Sequence, residues 1–287
     1  MRERVVDRAA VHATPARLAI RDSLLAALAF ASGCYDAICF LSFGKVFSGF
    51  QTGNIVFLGL GVAGTRPPAG PDTVSVVVSL AAFALGAVLA VSILNRFDGD
   101  EEIDDKDVSE IWPRRVSIAL GVVVIVQLGF LAAWLTTSPS TDAIYLMLGL
   151  NAFGMGVQMN AVRSLHVPAI STTAATATFI SLVSGVASWS LTRTGARRLA
   201  GGILSMAVGA LVAAWMLSHV HAYAVVLPVL VIAIVVAVAS TALRGHRTHS
   251  EILLNPNAAL PPIDRRERET TRVRTNESAS RSSSTPQ

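Results

Sequence analysis

The sequence predicts an all-α, polytopic helical membrane protein: eight hydrophobic segments in two four-segment repeats, with six to eight crossings. Composition is the first reason. Of 287 residues, 52% are hydrophobic and 15% charged, against roughly 25% charged in an ordinary soluble domain. Charge segregation is the second. No Asp, Glu, Lys or Arg occurs from Leu199 to Leu243, and Asp142 is the sole one from Val116 to Val162. Soluble elements need a polar face, and these stretches have none. Uncharged runs of about 20 residues match the roughly 30 Å hydrocarbon layer of a bilayer. The third reason is an internal repeat.

In chain order, residues 1–19 form a basic tail, and five Arg precede Asp22. The first apolar segment, 23–43, opens with "LLAALAFASG", the composition of a signal-peptide core. The apolar run continues to Phe43, so a membrane helix is expected instead. Segment 46–64 carries no charge but crowds Gln51, Thr52 and Asn54 into one turn beside Gly49 and Gly53. Segment 73–95 is uniformly apolar. The loop 97–115 holds eight acidic residues; Ile103 stands where a calcium loop needs its turn glycine, and no Glu closes the frame. Segments 116–136 and 143–162 follow, the latter with Gly154, Gly156, Gln158 and Asn160 near its end. Segment 167–191 is rich in Ser and Thr. Segment 199–218 carries a small-residue stripe, Gly201, Ser205, Gly209 and Ala213, suited to close helix packing. Segment 222–243 follows His219 and His221, which have no further metal ligands near them in sequence. The tail 244–287 is polar, with eight Arg, and its composition predicts disorder. Basic tails suit the cytoplasmic face of a bilayer, and no nucleic-acid partner is expected. Cys34 and Cys39 read as small core residues.

A shift of 124 positions lays residues 36–63 over 160–187 without a gap, with seven of 28 positions identical. Asp36 falls on Asn160, Thr52 on Thr176, and Ser48 on Thr172. The third segment falls on the seventh at the same offset, giving halves of about 20–136 and 143–243. Duplicated halves are a common transporter build, with the binding site between them near the midplane.

Loop charges favour three crossings per half over four. If segments two and six enter and leave on one side, eight basic residues (Arg96, Lys106, Arg114, Arg115, Arg163, Arg193, Arg197 and Arg198) face the cytoplasm, against Lys45 and Arg66 outside. That arrangement obeys the positive-inside rule. Both termini are then cytoplasmic and the halves are inverted.

Asp36 is the only acid inside any of the eight apolar segments. An intramembrane carboxylate reads as a proton relay, a cation ligand or an ion-pair partner. Arg163 is its expected partner. The candidate substrate-binding set is Asp36, Gln51, Thr52, Asn54, Gln158, Asn160, Arg163 and Thr172. The competing reading is helix–helix glue, since hydroxyl and amide side chains also tie membrane helices together. No nucleophile elbow, phosphate loop, zinc motif or CxxC pair is present. No enzyme activity, cofactor or metal is therefore expected.

"GCYDAICFLSFGKVFSGFQTGNIVFLGLG" and "GMGVQMNAVRSLHVPAISTTAATATFISL" resemble the two signature regions of the YoaK-type family, bacterial multi-pass membrane proteins classed as a domain of unknown function. The matching residues are Asp36, Thr52-Gly53-Asn54, Gln158, Asn160-Ala161, Arg163 and Thr172-Thr173. Met159 is an extra residue in the second signature, and Ala177 stands where relatives often have glycine. The resemblance covers roughly 20–243 and implies a multi-pass inner-membrane protein without implying an activity. The functional expectation is a small-solute transporter or permease; the alternative is a non-transporting scaffold or sensor. The expected partners are the lipid bilayer and a small solute or ion.

Overall fold

Apolar runs with little charge form helices because lipid offers the backbone no hydrogen bonds, so each segment must satisfy its own. The computed structural model describes residues 15–65, 70–96, 111–137, 140–165, 167, 179–180, 183–184 and 193–243. These belong to the unit Met1–Arg244; a second unit, Gly245–Gln287, lies outside the described residues. The helices are α1 (Pro15–Ser42), α2 (Gln51–Val62), α3 (Thr73–Arg96), α4 (Arg114–Thr136), α5 (Thr141–Arg163), α6 (Arg193–His219) and α7 (Val226–Ala242), with a 3-10 turn at His221–Tyr223. Among the described residues there is no strand.

Among the described residues, five spans are long and apolar enough to cross a bilayer: α1, α3, α4, Gly195–His219 of α6, and His221–Ala242, which includes α7. Helix α5 is as long, at 23 residues, but Asn151, Gln158 and Asn160 make it less apolar. It is also deeply buried, packing against α3 and α4. Ser140 caps its start by accepting from the Ala143 amide, and Asp142 and Arg163 complement its dipole at the two ends.

Segment 46–64 departs from a single spanning helix. Helix α1 stops where Gly44 and Lys45 both take left-handed φ, of 79° and 67°, turning the chain back on itself. Residues 43–50 are then non-helical, and α2 has only 12 residues, about 18 Å of helix, too short for the hydrocarbon layer. Most of 167–191, the sixth segment, lies outside the described residues.

The bundle exposes apolar side chains as well as burying them, and it buries several polar ones. Leu85, Val88, Ile125, Leu211 and Ile234 are exposed, whereas Ser32, Asp36, Ser79, Gln127, Asn151 and Gln158 are buried. Lipid tails are as apolar as Leu, so burial of apolar area cannot hold such helices together; close packing and hydrogen bonds must. Glycines supply the close packing at two crossings. A Cβ on Gly33 would collide with the Met206 carbonyl, and one on Gly209 with the Phe30 carbonyl. A Cβ on Gly86 would likewise strike the Phe153 carbonyl, and one on Gly156 the Phe83 carbonyl. The separations Phe30–Phe153, Gly33–Gly156, Phe83–Met206 and Gly86–Gly209 are each 123 residues. The α1–α6 crossing thus has the register of the α5–α3 crossing.

Side-chain contacts fix the helix directions. Arg198 pairs with Asp22 and the Cys34 thiol donates to the Gly209 carbonyl, so α1 and α6 run parallel. Tyr145 donates to Asp72 beside the start of α3, so α3 and α5 also run parallel. Between α1 and α5 the order reverses: Gln158 reaches Leu28 and Ser32, while Asn151 reaches Cys39. Those two helices are antiparallel.

Candidate functional site

The non-helical turn after α1 folds into the bundle, and its backbone groups need partners there. Asn54, fully buried at the start of α2, provides them. Its Oδ1 accepts from the Phe47 amide at 3.1 Å, and its Nδ2 donates to the Phe47 carbonyl at 2.6 Å. Nδ2 also reaches Gln51 Oε1 at 2.9 Å and Ser79 Oγ at 3.2 Å. Gln51 Nε2 donates to the Ser48 carbonyl at 2.7 Å, and the Ser79 hydroxyl donates to the Phe47 carbonyl at 2.7 Å. Gln51, Asn54 and Ser79 therefore pin the broken backbone to α3.

Asp36 faces the other side of this turn, one helical turn past the Gly33 crossing, and is 5% exposed. Its Oδ1 accepts from the Gly49 amide at 2.7 Å, the Ser48 amide at 3.0 Å and the Ser48 hydroxyl at 3.2 Å. Successive amides around one carboxylate form an anion-binding nest. Oδ2 is buried with no hydrogen-bond partner. The Phe50 amide also faces the carboxylate but forms no hydrogen bond with Oδ2. A Cβ placed on Gly49 would lie 2.9 Å from Met155 Cε, 3.0 Å from Met159 Cε and 3.1 Å from Asp36 Oδ2. A methyl at Gly49 would thus touch Oδ2 and both methionine methyls of α5.

A second set of buried polar groups runs between α1, α4 and α5. Gln127 Nε2 donates to Asn151 Oδ1 at 3.1 Å, and Asn151 Nδ2 donates to the Cys39 sulfur at 3.0 Å. Cys39 in turn lies against Ser48, which joins this chain to the Asp36 turn. Gln158 Nε2 donates to Ser32 Oγ at 3.0 Å. Among the described residues, Tyr35 Oη, Asp36 Oδ2, Gln127 Oε1 and Gln158 Oε1 are buried oxygens without a partner. A buried polar group left without any partner costs about 1–3 kcal/mol.

The structure brings Asp36, Gln51 and Asn54 onto one turn, with Gln158 lower on the α1–α5 interface. Thr52 is exposed and stands apart from them. Arg163 is exposed at the end of α5, so the expected Asp36–Arg163 pair does not form; amides of the turn take its place. Asn160 is half-buried and bonds the Gly156 carbonyl of its own helix. Thr172 lies outside the described residues. His221 stacks on Trp134 and His219 on Trp215, so the two do not share a site. Cys34 and Cys39 are buried free thiols. Sequence reasoning missed Ser79, Gln127 and Asn151. Gln127 and Asn151 are lone amides in apolar runs, a signal available in the sequence, whereas nothing local marks Ser79.

Residues 24–238 match the family model described as Protein of unknown function (DUF1275). Over 168 residues, 58% of this chain and 68% of the relative, the chain is 31% identical to the UPF0700 transmembrane protein YoaK of Bacillus subtilis (strain 168). No solved structure matches it. Asp36, the broken helix after it and the amide-lined α5 therefore belong to an integral membrane protein of the DUF1275 family.

Proposed function

We propose that the protein is a small-solute transporter or permease of the inner membrane, with a polar site between two inverted halves. One observation carries the reading: a buried carboxylate oxygen without a partner, beside a helix broken inside the bundle. Irregular backbone at membrane depth is tolerated where it is buried in protein or lines a cavity, and intramembrane acids mark ion and substrate paths. The inverted halves are supported by the shared 123-residue register of the two glycine crossings and by the antiparallel run of α1 and α5. The helix directions support six crossings, with α2 returning to the side it enters. Arg21, Arg96, Arg114, Arg163 and Arg198 then gather at one face, the cytoplasmic one by the positive-inside rule. Both termini lie on that side.

The second reading, a non-transporting scaffold or sensor, draws on the Gln51–Asn54–Ser79 cluster, whose mutual hydrogen bonds hold helices without leaving a group to spare. Flux from proteoliposomes separates the two. Protein reconstituted against a panel of protons, monovalent cations, small anions and neutral solutes is expected to move at least one, and Asp36→Asn to abolish that flux with the fold intact. Unchanged flux in the variant, or none in the parent, refutes transport through this centre.

A further inference from the structure

We propose that Asp36 is a proton-operated latch: a proton added to its free Oδ2 releases the Ser48–Gly49 turn that its Oδ1 holds. This deepens the transport reading by naming the coupling ion, and it rests on that reading only for the use to which the motion is put.

The surroundings of Oδ2 select the ion. A hard cation needs about six oxygen ligands. Oδ2 instead has no hydrogen-bond partner, and the space between it and Gly49 is bounded by the Met155 and Met159 methyls, with the Phe50 amide presenting its positive end to the same carboxylate. Among the described residues no cluster of His, Cys, Asp and Glu could hold a metal. A multi-atom solute does not fit between Gly49 and Oδ2 either, since a single methyl there would already touch three atoms at 2.9–3.1 Å. A proton needs no space. It arrives from water and bonds to Oδ2; no other covalent bond forms or breaks, and the carboxylate becomes a neutral carboxyl.

The consequence falls on the turn. While Asp36 is ionised, three donors converge on Oδ1, two of them backbone amides that have no helix to satisfy them. Hydrogen bonds to a charged group are roughly twice as strong as neutral ones, so neutralisation weakens all three together. Asn54 and Ser79 still hold Phe47 on the far side of the turn, so the Ser48–Gly49 peptide moves while its anchor stays. Few other charges compete. On α1 the titratable neighbours of Asp36 are Cys34, Tyr35 and Cys39; α3 offers none between Asp72 and Arg96, α4 none after Arg115, α5 none between Tyr145 and Arg163, α6 none between Arg198 and His219, α7 none, and α2 and the turn none between Lys45 and Arg66.

Hydrogen exchange of the full-length protein in nanodiscs, without any solute, tests the latch. After correction for intrinsic chemistry, the Ser48 and Gly49 amides should lose about tenfold protection as pH falls through the Asp36 titration. Infrared difference spectra should show a carboxyl C=O band appearing over the same pH range. Asp36→Asn should be poorly protected at every pH and lack the band. Ser48→Ala, which keeps the carboxylate and removes only the hydroxyl bond, should retain the band and the pH dependence with less protection. Protection that is flat with pH in the parent overturns the proposal. So does protection that responds to Ag(I), used as a thioether-seeking probe, but not to protons. Because no flux is read, failure here is distinct from failure of the transport reading.

Discussion

Replacing the four crossing glycines by alanine one at a time tests how this bundle is held. At Gly33, Gly86, Gly156 and Gly209 the added methyl would meet a backbone carbonyl of the facing helix at well under 3.0 Å. Carbon–carbon contact is comfortable near 3.5–4 Å, and a helix carbonyl cannot rotate away as a side chain can. The pair must separate by about 1 Å, losing dispersion contacts along the crossing, at about 1–3 kcal/mol. Gly121, Gly129 and Gly201 are the controls: no heavy atom lies within 4 Å of their added Cβ, so alanine there should be neutral or slightly stabilising, by up to about 1 kcal/mol. Stability is read from reversible unfolding in mixed micelles. The double variant Gly33→Ala with Gly209→Ala should cost less than the sum of its parts, because the first methyl already parts the helices. Gly33→Ala with Gly86→Ala should be additive, since these lie in different crossings. If the four sites behave like the controls, the reasoning from close backbone packing is wrong.

Other substitutions grade the remaining contacts. Gly49→Ala meets two methionine methyls, which can swing aside, so it should cost about 1 kcal/mol and no more than the crossing glycines in the same assay. Asn54→Ala strands the Phe47 amide and Gln51 Oε1 and should lose about 2–6 kcal/mol at 1–3 kcal/mol per unsatisfied group, with Asn54→Asp intermediate. Arg198→Ala breaks a partly exposed ion pair with Asp22 and should shift stability by less than about 1 kcal/mol, shrinking further in high salt. A cysteine at position 104 should react with membrane-impermeant reagent only after the cells are opened; labelling of intact cells would refute six crossings.

Membrane residence was legible in residues 199–243 and 116–162, because a bilayer tolerates few charges whatever the packing. The polar break at Gln51–Asn54 was legible too, since amides beside glycines in an apolar run have few uses other than satisfying freed backbone. The sequence by itself therefore determined that this chain enters lipid, roughly where it does so, and that Asp36 is exceptional. Only the tertiary structure decided what Asp36 touches. Arg163 was the expected counter-charge because opposite charges attract, yet amides of a folded-back turn, 12 and 13 residues on, reached the carboxylate first. The role of Ser79 and the chain from Gln127 through Asn151 to Cys39 were likewise set by helix crossings between distant residues. Crossings depend on which glycines let two backbones meet, and that pairing is a property of the assembled bundle rather than of any one segment.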